Sequence, residues 1–147
     1  MSLKERLLED MKVAMRDKDI IRKNTVQMAR SAVLQVEKDS RITLDDDGVL
    51  DIIAKEVKKR RDSLPEFEKS GRQDLIDNLK TEIDVLMQYL PEQLTEEELE
   101  VIVRQTVEET GVSSVKEMGK VMQAVMPKVK GRADGRMINQ IVKKILG

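Results

Sequence analysis

The sequence contains no cysteine, no histidine and no tryptophan, and Phe67 and Tyr89 are its only aromatic residues. Without cysteine there are no disulfides, thiolate metal sites or thiol nucleophiles. Without histidine the chain lacks the most common general base and metal ligand. The scarcity of aromatic rings leaves little surface on which nucleic-acid bases can stack. We therefore predict no cofactor and no metal, and the composition favours a binding protein over an enzyme.

Long apolar runs are also absent. No stretch approaches the roughly 20 apolar residues of a membrane span, and no apolar run follows Met1, so neither a membrane contact nor a signal peptide is expected. The lack of cysteine fits the cytoplasm, which is the predicted location. Within 147 residues, 39% are hydrophobic and 37% are charged, which is enough apolar material for a packed core.

The apolar residues recur at helical spacing along nearly the whole chain, which predicts an all-α protein. We expect four helices up to residue 90 and three shorter helices after it. Pro91 closes the fourth helix. The predicted domains are therefore an N-terminal helical domain at residues 1–90 and a small three-helix C-terminal domain at residues 95–147. The pattern does not indicate an oligomeric state.

Several residues mark the predicted helix ends and buried faces. Pro65 should end or kink the third helix, and Gly71 and Gly111 are placed to stop helices. Ser2, Thr95 and Asp134 have the spacing of helix N-caps. The residues predicted to face the core in the first two helices include Leu7, Met11, Ala14, Met15, Met28, Ala29, Ala32, Val33 and Val36.

Charge is distributed unevenly, although the net charge is only -1. Residues 91–110 hold one basic and seven acidic side chains, and residues 111–147 hold eight basic and two acidic ones. Two other charged runs have simple structural interpretations. The basic run at residues 58–61 is expected to be a solvated helix face, and the acids at residues 45–47 are expected to begin a helix rather than bind calcium.

The basic C-terminal segment is the strongest candidate for a binding surface. In the last predicted helix Arg136 and Lys143 fall on one side, opposite Ile138 and Val142, at about 100° per residue. A glycine-containing loop at residues 128–136 precedes this side and could place cations at a helix N-terminus, where phosphate binds favourably. Two alternatives stay open: Asp134 can cap that helix itself, and the cations can be ordinary solvated surface or be neutralised by the neighbouring glutamates.

Two stretches resemble the GatB/YqeY family. Residues 90–99 (LPEQLTEEEL) are similar to the linker and first tail helix of that family. Residues 119–122 and 126–127, residues 130–135 (KGRADG), Asn139 and residues 142–144 resemble its C-terminal signature. Residues 58–63 and 71–75, with Phe67, are similar to the stand-alone YqeY branch, for which the resemblance covers essentially the whole chain. For the amidotransferase B subunit it covers only the tail.

The resemblance implies a function connected with tRNA. In the family, the B-subunit tail belongs to a glutamine-dependent amidotransferase acting on misacylated glutamyl- or aspartyl-tRNA, and it holds the tRNA without performing the chemistry. Because this chain has no catalytic cradle and no glutaminase, a carbon–nitrogen ligase using glutamine as amide donor is ranked last. The main hypothesis is a non-catalytic tRNA- or RNA-binding accessory protein, and the alternative is a protein–protein adaptor for an amidotransferase or aminoacyl-tRNA synthetase. The candidate contact residues are Lys120, Lys128, Lys130, Gly131, Arg132, Arg136, Asn139, Lys143 and Lys144.

Overall fold

The computed structural model describes all 147 residues and contains seven α-helices and no strand. The predicted all-α fold, with four helices up to residue 90 and three after it, is confirmed, although the helix Glu96–Thr110 is no shorter than the first four helices' shortest member, Leu3–Arg16. The chain divides into two compact units, Met1–Leu90 and Pro91–Gly147, called unit 1 and unit 2 below. None of the helices combines the length and the apolar character needed to cross a membrane.

Unit 1 is built from α1 (Leu3–Arg16), α2 (Ile20–Ser40), α3 (Asp46–Ser70) and α4 (Gln73–Met87). Side chains at three helix starts explain where these helices begin. Ser2, Asp19 and Asp45 each accept a hydrogen bond from the backbone N–H three residues later, which satisfies a donor that has no partner within the helix. α3 ends at Gly71, whose φ of 69° is readily adopted only without a Cβ atom.

The buried face of α2 differs from the predicted one. Met28 and Val36 are 53% and 37% exposed, so their predicted burial is wrong, as it is for Met15 on α1 at 55%. Thr25 is buried instead, because its hydroxyl donates to the Ile21 carbonyl and so keeps a hydrogen bond inside the core. The α2 residues that pack inward are Thr25, Val26, Ala29 and Val33.

Pro65 does not end a helix. α3 continues through it to Ser70, so of the two predicted outcomes, an end or a kink, the end is wrong, and the helix stops at Gly71 as predicted. The proline ring removes the N–H that would bond to the Arg61 carbonyl, but Pro65 lies on the exposed side of α3. The helix therefore tolerates the proline at the cost of one backbone hydrogen bond, away from the core.

The basic run at residues 58–61 is only partly a solvated face. Lys58 and Lys59 are exposed, as predicted, but Arg60 is only 7% exposed. The Arg60 guanidinium donates to the Glu56 carbonyl at 3.0 Å, and its Nε lies 3.4 Å from Glu82 on α4. The expectation of a solvated face is thus wrong for Arg60, which is buried itself and links α3 to α4 through a partly buried ion pair with Glu82.

Tyr89 completes the core of unit 1 directly after α4. Its ring is buried and its hydroxyl donates to the Asp10 carboxylate on α1. The guanidinium carbon of Arg6 lies 4.6 Å from the ring centroid, a cation–π distance. Burial, together with the Asp10 hydrogen bond, raises the pKa of Tyr89 well above its ordinary value.

Unit 2 contains α5 (Glu96–Thr110), α6 (Met118–Val125) and α7 (Gly135–Leu146), with short 3-10 turns at Val115–Glu117 and Met126–Lys128. The Thr95 hydroxyl accepts the Glu98 N–H and begins α5, and Gly111 ends it at a φ of 69°. Asp134 caps α7 by accepting the Arg136 N–H at 3.0 Å. The fully buried residues of this core include Leu99, Val103, Val121, Val125, Ile138 and Val142.

Candidate functional site

The outward face of α7 carries accessible residues of the predicted site. Ile138, Ile141 and Val142 are buried, and the opposite side of the helix presents Arg136 and Lys143 to solvent. Asn139 lies between these two cations at helical spacing and is half-buried. The residues Arg136, Asn139 and Lys143, called the α7 face below, are therefore brought together by the helix itself.

Lys128 is held by the acidic helix α5. Its ammonium donates to the Glu109 carboxylate at 2.7 Å and to the Thr106 hydroxyl at 3.0 Å. The Thr106 hydroxyl in turn donates to the Ile102 carbonyl, which fixes its orientation. Although predicted as a phosphate contact, Lys128 thus has its charge already compensated in this structure.

Lys144 is also directed toward α5. Its ammonium lies 3.9 Å from Glu100 Oε2, while the other carboxylate oxygen of Glu100 accepts Arg104 Nη2 at 2.8 Å. The Arg104 hydrogen bond, with a further contribution from the Lys144 charge, lowers the pKa of Glu100 below its ordinary value. Glu100 therefore remains ionised at neutral pH and serves two cations at once.

The KGRADG loop has a structural role that the sequence did not reveal. The Gly131 carbonyl accepts the Gln93 side-chain amide at 2.8 Å, and the Arg132 carbonyl accepts the Leu94 N–H at the same distance. The Arg132 guanidinium donates to the Glu92 carbonyl at 3.2 Å. We call these hydrogen bonds between residues 92–94 and 131–132 the loop clamp. They join the two stretches that resemble the GatB/YqeY family, residues 90–99 and residues 130–135.

The remaining candidate cations are arranged differently from a phosphate cradle. Asp134 already accepts one N–H at the start of α7, and its negative charge complements the positive end of the helix dipole. Lys120 lies on α6, exposed, with its ammonium 3.7 Å from Glu117. Lys130 is exposed in the loop. The loop is thus a capped and clamped connection, and the α7 face presents two exposed cations on one side of a helix.

The sequence analysis did not identify the glutamates that form ion pairs with these cations, because they lie far from them along the chain. Glu109 precedes Lys128 by 19 positions, and Glu100 precedes Lys144 by 44. The only sequence signal was the general one of an acidic stretch beside a basic one. The sequence did not indicate the role of Gln93 in the loop clamp, because its partner is a backbone carbonyl, which every residue carries.

Comparison with known proteins gives one family and several relatives. A family model described as Yqey-like protein matches residues 4–146. A protein of Pyrenophora tritici-repentis named altered inheritance of mitochondria protein 41, mitochondrial, is 31% identical over 97% of this chain and 80% of its own length. Proteins of the same name from Kluyveromyces lactis and Lachancea thermotolerans are 38% and 35% identical over 56% and 57% of this chain. The chain spans less than half the length of these last two proteins, at 45% and 46%.

These relatives correct one prediction. The predicted cytoplasmic location is wrong by this comparison, because the relatives are named as mitochondrial proteins. The physical reason is that the absence of cysteine excludes disulfides without distinguishing one thiol-reducing compartment from another. Since the family model covers nearly the whole chain and the first relative matches along 97% of it, the chain belongs to the YqeY-like protein family.

Proposed function

We propose that this protein is a non-catalytic RNA-binding accessory protein, with tRNA as its most suitable ligand, and that it contacts phosphates through the α7 face. The observation that carries the proposal is the exposure of Arg136 and Lys143 on the side of α7 opposite its buried residues. Guanidinium and ammonium groups bind phosphate oxygens through charge-assisted hydrogen bonds. The resemblance of unit 2 to the tail of the amidotransferase B subunit supports tRNA over other polyanions.

The expected mode of binding follows from what the α7 face offers. Two cations and the half-buried amide of Asn139 favour contacts with the sugar–phosphate backbone. Unit 2 contains no aromatic residue, so base stacking within it is not available. Binding should therefore be weak, strongly dependent on salt and only slightly selective for sequence.

Titration of labelled tRNA at several salt concentrations tests the proposal. We expect Arg136→Ala and Lys143→Ala each to weaken binding and to reduce the slope of log affinity against log salt by about 0.7–0.9, because each removes one phosphate contact. Both side chains are exposed, so neither change should unfold the protein. Circular dichroism checks that the helix content is unchanged.

Lys12→Ala provides the matched control. Lys12 is an exposed lysine on α1 in unit 1, so its removal changes the net charge equally without touching the α7 face. Equal affinities and equal salt slopes for the wild type, Lys143→Ala and Lys12→Ala would contradict the proposal. A loss confined to the α7-face variants would support it.

A protein–protein adaptor is the second candidate function. The observation in its favour is Val101, which is 56% exposed on α5 in a strongly acidic part of the chain. An apolar side chain with acids around it fits a basic partner surface, where complementary charge sets specificity and association rate. An amidotransferase or synthetase that binds the purified protein after nuclease treatment would favour the adaptor. A complex that nuclease abolishes would favour RNA.

A further inference from the structure

We propose that Glu109 and Glu100 act as intramolecular competitors of phosphate, and so limit the affinity of unit 2 for polyanions. This inference rests on the proposed function, since it concerns cations of the same basic segment. It assigns to two acidic residues of α5 a regulatory role in binding. The inference favours a polyanion with several adjacent phosphates as the ligand, because a single phosphate group cannot replace the carboxylates on both Lys128 and Lys144.

The Glu109–Lys128 pair carries most of the argument. The carboxylate lies 2.7 Å from the ammonium, the distance of a charge-assisted hydrogen bond and the same contact that a phosphate oxygen would make. The Glu109 side chain is 64% exposed and that of Lys128 38% exposed. An incoming phosphate can therefore reach Lys128, but it must first replace a bound carboxylate.

Glu100 acts on Lys144 in the same way but less strongly. The 3.9 Å separation is that of a loose ion pair, and Arg104 shares the same carboxylate. Exposed pairs of this kind change an equilibrium constant by a factor of only about 1.5 to 5. Glu109 should thus have the larger effect on binding, and Glu100 the smaller one.

The test uses the full chain and labelled tRNA at low and moderate salt. We expect Glu109→Gln to tighten binding about two- to fivefold and to increase the salt slope by about 0.7–0.9, because Lys128 becomes available to phosphate. Lys128→Ala should have little effect in the wild type, where Glu109 occupies the ammonium. In the Glu109→Gln background, Lys128→Ala should abolish the gain. The two changes should therefore be strongly non-additive.

Glu108→Gln is the control for net charge. Glu108 is the exposed neighbour of Glu109 on α5 and is not part of an ion pair with a candidate cation. An equal gain from Glu108→Gln, or a gain in Glu109→Gln that survives Lys128→Ala, would overturn the inference in favour of a general charge effect. If tRNA binding depends on Lys143 but not on Glu109, the inference fails and the proposed function stands. If neither the wild type nor Glu109→Gln binds tRNA in a salt-dependent manner, both fail.

Discussion

Glu37 joins parts of unit 1 that are distant in sequence. One oxygen of its carboxylate accepts both the Lys4 ammonium at 2.7 Å and the Leu44 N–H at 2.8 Å. It thereby ties the start of α1 and the loop before α3 to the end of α2. The Lys4 hydrogen bond, followed by the Leu44 hydrogen bond, lowers the pKa of the Glu37 carboxyl below its ordinary value of 4.5.

This lowered pKa predicts an effect of pH on stability. A group whose pKa is lower in the folded state stabilises the fold above its unfolded pKa, and the contribution is lost as the pH falls through the folded value. We therefore expect Glu37→Gln to lower the melting temperature at pH 7, and the difference from wild type to shrink below about pH 4. Thermal unfolding across this pH range measures it. Glu68→Gln, which changes an exposed acid on α3, is the control, and a Glu37 effect that stays constant down to pH 3 would contradict the explanation.

Two residues whose burial the apolar pattern did not predict, Thr25 and Arg60, are polar side chains held by a specific hydrogen-bond acceptor. Burial of Thr25 depends on a hydrogen bond to Ile21, and a pattern of apolar residues does not register it. Burial of Arg60 depends on Glu82 in the next helix, 22 positions away. In both cases a polar side chain is buried because a specific acceptor forms a hydrogen bond with it. The spacing of apolar residues does not indicate either acceptor.

At the scale of helices, capping residues close to the helix ends were sufficient to predict most helix boundaries. The N-caps Ser2, Thr95 and Asp134 each accept the N–H that their spacing predicts or one next to it. Gly71 and Gly111 end α3 and α5 in the left-handed conformation. These signals act within four residues, so a single sequence contains both partners. Pro65 is the exception, because α3 continues through it on the exposed side of the helix, where the lost backbone hydrogen bond lies outside the core.

Replacing Pro65 should therefore stabilise α3. Pro65→Ala restores the N–H that can bond to the Arg61 carbonyl and removes the clash of the ring with the preceding turn. After allowance for the greater freedom of the unfolded chain, we expect a gain of about 2 kcal/mol. Urea unfolding followed by circular dichroism measures the gain. Glu66→Ala, an exposed change one position later, should stay within about 0.5 kcal/mol, and no gain in Pro65→Ala would mean that α3 carries no strain there.

At the scale of the whole molecule, the loop clamp determines where unit 2 begins. Leu94 is only 7% exposed within the core of this unit, and its N–H bonds to the Arg132 carbonyl. Gln93 adds a bond to Gly131. A unit of this size lies near the lower limit for independent folding, so each of these contacts matters.

We predict that a fragment of residues 91–147 is more stable than one of residues 95–147. The shorter fragment lacks the buried Leu94 side chain, which contributes about 2 kcal/mol, and the hydrogen bonds of the clamp. Circular dichroism during thermal unfolding compares the two. A third fragment, residues 91–147 with Gln93→Ala, removes one clamp bond and keeps Leu94, and it should lie between them. Equal melting temperatures for all three would show that the clamp does not contribute.

The position of Tyr89 has a practical consequence for studying this protein in solution. Both aromatic rings of the chain belong to unit 1, and the tyrosine hydroxyl there is bound to a carboxylate. Intrinsic ultraviolet fluorescence therefore reports on unit 1 alone, because unit 2 has no aromatic side chain. A denaturation curve recorded by tyrosine emission would follow one unit only, and events on α7 would need an introduced dye or tryptophan to become visible.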